Sequence, residues 1–179
     1  MLEQVSAVER ERKEYKTYIQ QWVHECKTPI AAGKLLCENH PSPLSQDLLP
    51  LWEAMDHYTE QALFYARSEH PEKDYLIREL PLFAPVHRAI AQNKYLLLQH
   101  QVRLEGEETE DTVFSDEKWL CFILGQLITN GVKYRHPQRP LVLTFSSARG
   151  PGAVTLSLRD NGIGIPPEDL PPVFDQGFT

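Results

Sequence analysis

An α+β chain in two parts, a helical hairpin followed by an α/β sandwich, is predicted by three observations. Up to about residue 68 the apolar residues recur at the 3–4 spacing of amphipathic helices, interrupted once by Asn39-His40-Pro41-Ser42-Pro43. Beyond residue 74, short runs of alternating polarity are interleaved with two longer stretches of helical period. Between the two regimes, Ser68-Glu69-His70-Pro71-Glu72-Lys73 breaks both patterns and marks a linker. The chain therefore divides into residues 1–70 and 71–179.

In the first part, Tyr15, Tyr18, Ile19, Trp22, Val23, Cys26, Ile30 and Leu36 form one apolar stripe. The prolines at 41 and 43 end that helix, because proline lacks an N–H and biases its predecessor away from helix. Ser45 or Asp47 is expected to cap a second helix with Leu48, Leu51, Trp52, Met55, Tyr58, Leu63 and Phe64 on its apolar face. Two helices cannot bury both stripes alone, so a homodimer forming a four-helix bundle is predicted.

In the second part, strands are expected at Asp74–Leu80, Gln101–Glu105, Thr112–Ser115, Leu141–Ser147 and Ala153–Arg159. Helices are expected at Leu82–Leu98 and Asp116–Tyr134, and together the elements predict helices packed on one mixed sheet. No internal repeat or low-complexity tract is present.

Composition narrows the partners. The chain has 18 basic and 25 acidic residues, a net charge of −7, which argues against nucleic acid or an anionic membrane surface. Cys26, Cys37 and Cys121 show no paired spacing, which favours free thiols and a cytoplasmic setting. No stretch approaches the ~20 apolar residues that span a bilayer, and no signal-peptide pattern opens the chain. Met1–Lys16, rich in alternating Glu, Arg and Lys, reads as the start of a solvated helix cut from something longer.

Three constellations carry chemistry. The first is Trp22-Val23-His24-Glu25-Cys26-Lys27-Thr28-Pro29-Ile30. Taking His24 as zero at ~100° per residue, the apolar stripe falls within roughly 120–260° and Thr28 lies about 40° away. His24 is therefore expected on the solvent face, open to in-line phosphoryl transfer. A neutral imidazole is nucleophilic near pH 7. Pro29, one turn later, is a costly residue inside a helix and predicts a bend.

The second is the helical stripe Gln126, Asn130, Lys133, followed by Tyr134. An amide oxygen such as that of Asn130 can ligate a hard cation like Mg²⁺, and a neighbouring lysine can neutralise phosphate. The third is Asp160-Asn161-Gly162-Ile163-Gly164-Ile165 after a strand, where two glycines permit close backbone approach to a ligand.

The order and spacing of these three elements resemble the bacterial sensor histidine kinases of two-component systems. The likeness extends from about Tyr15 onward. Trp-Val-His-x-x-Lys-Thr-Pro-Ile, Tyr-Ala-Arg-Ser-Glu and Lys-Asp-Tyr-Leu-Ile-Arg-Glu look most like the intramembrane-sensing, antimicrobial-peptide (bacitracin-type) branch. The resemblance implies an ATP-binding domain of the histidine kinase, gyrase and Hsp90 type after the hairpin. It implies a protein-histidine kinase in which His24 takes the phosphate, Glu25 acts as general base, and Thr28 positions water for dephosphorylation of the response regulator. Asn130 would hold Mg²⁺, Lys133 would meet phosphate, Tyr134 would flank the nucleotide, and Asp160 would accept from the adenine amino group beside Gly162 and Gly164. ATP and Mg²⁺, a homodimer, a response regulator and, through a membrane part, an ABC transporter are the implied cofactors and partners. By the same resemblance the full-length protein is anchored in the bacterial membrane.

Two departures stand out. Gln126 occupies a position where many kinases carry a second Asn, so the metal role falls to Asn130 alone. Val173-Phe174-Asp175-Gln176-Gly177-Phe178 resembles the phenylalanine box before the ATP lid, but the sequence ends at Thr179 without the second glycine-rich box. The expectation is that this chain by itself binds ATP poorly and autophosphorylates slowly. The alternatives are a catalytically impaired dimeric signalling scaffold, or another ATPase of the same superfamily.

Overall fold

The computed structural model describes residues 2–68, 75–171 and 173. The chain separates into two compact units, Met1–Tyr75 and Leu76–Thr179. Most of the expected linker, from Glu69 to Lys73, lies outside the described residues, as does Asp74, the first residue of the strand expected at Asp74–Leu80.

The first unit is a hairpin of α1 (Leu2–Asn39) and α2 (Pro43–Ser68). Lys27 pairs with Glu60 at 2.9 Å and Lys34 with Asp56 at 3.6 Å, so the helices run antiparallel. Gly33 lets the axes approach: a β-carbon there would lie 2.5 Å from the Trp52 ring. Helix α1 runs through Pro29 unbroken. Its missing N–H leaves the Glu25 carbonyl without the usual i+4 donor.

The second helix begins earlier than the sequence predicts. Pro43 sits in its first turn, where a missing N–H costs nothing. Ser42 precedes it, and its Oγ accepts from the Ser45 N–H at 3.1 Å while Ser45 Oγ accepts from the Ser42 N–H at 2.7 Å. This is a reciprocal capping box with serine at both ends. Ser45 is thus the inner partner of the cap, and Asp47 takes no part in it.

The apolar stripes also need correction. Val23, Ile30 and Cys37, seven residues apart, are buried on α1, as are Leu49 and Phe64 on α2. Tyr15, Tyr18, Trp22 and Leu36, expected on the same buried face, are exposed, as are Leu51, Met55 and Tyr58. One hairpin can cover only the side of each helix that faces the other.

The second unit comprises β1 (Arg78–Pro81), α3 (Ala84–Gln92), α4 (Lys94–Gln99), β2 (Arg103–Gly106), β3 (Thr112–Ser115), α5 (Glu117–Lys133), β4 (Val142–Gly150) and β5 (Ala153–Asp160). The single helix expected at Leu82–Leu98 is two, divided at Asn93, whose side-chain amide donates to the Ala89 carbonyl at 2.8 Å. The single mixed sheet is likewise two. Strand β1 pairs antiparallel with β3, and a separate sheet runs β2-β4-β5, parallel then antiparallel.

Leu141, Leu143 and Phe145 turn one side of β4 and its approach inward, with Val154, Leu156 and Leu158 of β5 packed beside them. They meet Val86 and Ala89 of α3, Leu97 of α4, and Cys121, Leu124, Ile128 and Val132 of α5 in one apolar cluster. Helix α5 is thus the central brace, and its N-terminus is tied down heavily. Asp116 caps it, accepting from the N–H groups of Lys118 and Trp119, and also from Leu76 at 2.7 Å. Burial pushes the Asp116 pKa up, but these donors from Leu76, Trp119 and Lys118 outweigh it and hold the carboxyl below its usual range. Glu117 pairs with both Arg78 and Arg88, joining β1 and α3 to the same turn. On the far side of the unit, Asp111 is bonded by Thr109 and Arg149, which lower its pKa in that order.

Candidate functional site: a polar helix face and a nucleotide-type turn

The phase of α1 predicts an exposed His24, and it is exposed. It shares an open depression on the helix surface with Thr17, Gln20, Gln21, Glu25 and Thr28. Gln21 donates to the Glu25 carboxylate at 3.1 Å, holding that side chain along the helix surface. Thr28 Oγ1 lies 3.5 Å from the His24 carbonyl, the back-bond typical of a helical threonine. The imidazole is thus reachable, with a carboxylate and a hydroxyl on its own face.

In the second unit, two segments separated by almost thirty residues are brought together. Helix α5 ends at Lys133, with Tyr134 as its C-cap donating to the Asn130 carbonyl at 2.9 Å. The turn after β5 docks on this end, the Ile163 N–H donating to the Tyr134 carbonyl at 3.0 Å. Gly162 makes the docking possible, since a β-carbon there would sit 2.5 Å from the Tyr134 oxygen. Gly164 takes φ +76°, a conformation open to glycine. On the other side of the turn, a β-carbon on Gly131 would come within 3.8 Å of the Asp160 Cβ.

Asp160 folds back on the turn, its Oδ1 accepting from the Gly162 N–H at 2.8 Å. Asn130 is exposed on the last turns of α5, and the Lys133 ammonium lies 4.7 Å from the Tyr134 ring centroid. Asn130, Lys133, Tyr134, Asp160, Gly162 and Gly164 therefore gather at one end of α5. Gln126 lies two turns earlier and is half-buried. Arg135, just past Tyr134, acts on His100, whose pKa is lowered first by burial and then by that guanidinium. The Val173–Phe178 segment lies outside the described residues apart from Val173.

Sequence reading missed Gly131 and Asn161. Gly131 is needed where α5 touches Leu143 and Asp160. Asn161 bonds Val142 and Pro140 through its side chain. Neither role carries a local signal, because each depends on a partner distant in sequence.

Residues 115–179 match the family described as histidine kinase-, DNA gyrase B-, and HSP90-like ATPase. Sensor histidine kinase YxdK of Bacillus subtilis is 29% identical over 91% of the chain, and sensor protein BceS of the same organism is 30% identical over 97%. The chain spans about half the length of these relatives, 50% of each. Among solved structures, Acinetobacter baumannii histidine kinase AdeS superposes with a TM-score of 0.56 at 24% identity, covering 82% of this chain and 76% of that one. Histidine kinase ThkA, solved in complex with the response regulator TrrA, gives 0.52 at 15% identity over 96% of this chain and 54% of that one. These likenesses bear out the hairpin-plus-ATPase fold. The chain is a relative of the sensor histidine kinases of the antimicrobial-peptide-response branch, and its residues 115–179 are an ATPase domain of the histidine kinase, gyrase B and HSP90 kind.

Proposed function

We propose that this chain is the catalytic core of a sensor histidine kinase, moving the γ-phosphate of ATP to His24 and then to an aspartate of a response regulator. The observation that carries the reading is the gathering of Asn130, Lys133, Tyr134 and Asp160 around the docked glycine turn, within the segment that matches the ATPase family. In this reading Asp160 accepts from the adenine amino group, and Lys133 neutralises phosphate charge. Among the described residues no group of three His, Cys, Asp or Glu side chains could hold a metal ion. A single amide ligand fits Mg²⁺, which keeps several waters and takes its remaining ligands from phosphate, so Asn130 is the residue that would hold it. When bound, that ion supplies neutralisation of phosphate charge.

On α1, His24 Nε2 or Nδ1 is the nucleophile and Glu25 takes the proton from the ring. Thr28 holds the water that removes phosphate from the regulator. The reaction breaks the terminal P–O bond of ATP and forms a P–N bond, with ADP leaving. The exposed apolar residues of α1 and α2 support a homodimer, whose second hairpin would cover them. Among the described residues no helix is long and apolar enough to cross a membrane. Membrane anchorage and pairing with an ABC transporter are proposed for the full-length protein on the sequence resemblance alone.

The test is incubation with [γ-³²P]ATP of the purified full-length protein, of its His24→Gln variant and of its Asn130→Asp variant. Acid-labile, alkali-stable label in the parent and its loss in both variants is the expected result. Label surviving His24→Gln would sink the assignment of the phosphoacceptor.

A further inference from the structure

We propose that Asn161 is a positioning residue for adenine recognition, setting where Asp160 stands by ending β5 with a side chain in place of a backbone rung. The ladder between β4 and β5 closes at the Leu143–Asp160 pair. One residue further, Val142 and Asn161 stand opposite each other in the same register. There the Val142 N–H is met by Asn161 Oδ1 at 2.8 Å, where a continued strand would offer a main-chain carbonyl. The other half of the amide, Nδ2, donates to the Pro140 carbonyl at 3.0 Å. Both capacities of one side chain are thus used on the segment that leads from α5 into β4.

This substitution frees the backbone of the turn. Because the side chain satisfies β4, the main chain after Asp160 leaves the sheet without stranding a buried N–H. The Gly162 N–H turns back to Asp160 Oδ1 at 2.8 Å, and the Ile163 N–H reaches the Tyr134 carbonyl at 3.0 Å. Arg139, from the same connecting segment, lies 3.3 Å from the Gly162 carbonyl. The Tyr134–Leu141 connection and the Asp160–Gly164 turn are therefore clipped together at three places, Tyr134, Arg139 and Pro140, and Asn161 adds a bond to Val142 at the start of β4. Only Asn combines an acceptor and a donor at this reach. Aspartate would keep the bond from Val142 but set a carboxylate oxygen against the Pro140 carbonyl.

The proposal rests on the reading of this turn as an ATP site, and the experiment separates the two. Binding of fluorescent ATP and GTP analogues is measured for the full-length parent and its Asp160→Asn, Asn161→Ala, Asn161→Asp and Asn93→Ala variants, together with thermal midpoints. Asn93→Ala removes another half-buried amide hydrogen bond of the same unit, away from the turn. Asn161→Ala is expected to weaken the ATP analogue roughly tenfold and to narrow its preference over the GTP analogue. Asn161→Asp should fall between it and the parent, and it decides the matter if the alanine variant folds too poorly to assay. Asn93→Ala should lower the midpoint yet leave affinity within about twofold. Unchanged nucleotide preference in both Asn161 variants would overturn the proposal, as would an equal loss of preference in Asn93→Ala. If Asp160→Asn binds ATP as the parent does, the site reading itself fails and this inference falls with it.

Discussion

The two units solve the burial problem differently. The second unit closes its own core: Ile128 and Leu143 have no exposed surface, and helices cover the inner face of the β2-β4-β5 sheet. The hairpin closes only one seam, around Val23, Ile30 and Cys37, while Tyr18 stays 64% exposed, Leu51 61% and Tyr58 67%. On α2 the exposed Leu44, Leu51, Met55, Tyr58 and Tyr65 recur at intervals of seven, four and three, the repeat of a coiled-coil seam. The difference teaches that the described residues of the second unit close a core among themselves, whereas the hairpin leaves an apolar seam that the proposed second copy would cover. A nucleotide site gains from a self-contained scaffold.

The comparison can be broken from either side. The largest effect is expected for Ile128→Ala, which should cost the second unit about 3 kcal/mol by cavity formation. Denaturant melts should show that loss with the hairpin transition unmoved; a shared shift would mean the units are not independent. Next is the double substitution Leu51→Glu with Tyr58→Glu. It should weaken self-association roughly a hundredfold in sedimentation equilibrium without lowering the second unit's midpoint. Unaltered self-association would remove the exposed seam from any dimer.

Gly33→Ala is smaller, because the Trp52 ring must shift to admit the new methyl: about 2 kcal/mol from the hairpin, read by Trp fluorescence during unfolding. The smallest is Asp116→Ala, about 1 kcal/mol from loss of the cap on α5. This change carries a pH signature. The folded carboxyl titrates below its unfolded value, so its contribution is complete above about pH 3.9 and is lost as pH falls through the folded pKa. Asp116→Asn should flatten the acid limb of the second unit's stability curve, and an unchanged limb would assign that limb to other carboxylates.

Much of this was legible in local pattern. The Pro41–Pro43 breaker, the Thr112–Ser115 strand, the helix starting near Asp116 and the exposure of His24 all follow from chain-local rules of proline chemistry, alternation and helix phase. What escaped depends on distant partners. Nothing around Asn93 announces that its amide will divide a helix of steady period. The division into two sheets depends on which strands find each other, and alternation is silent about that. Helix phase shows that Tyr18 and Val23 share a broad apolar face, yet it cannot say which of them the neighbouring helix reaches. In the site, Asp160 and Asn130 carried residue-type signals of their own. Asn161 drew none, since an asparagine before a glycine looks like any turn.

The bend between α1 and α2 has a kinetic consequence. Pro43 fixes one dihedral in advance, and the paired Ser42 and Ser45 hydroxyls hold the reversal with contacts only three residues apart. Such short loops close in well under a microsecond, so the two helices should find each other early in folding. What they form is a hairpin whose outer seam, in the proposed homodimer, a second chain would cover. The late step of its maturation would then be bimolecular, its rate rising with protein concentration. The second unit, closing on its own core, should refold at a rate that dilution leaves unchanged.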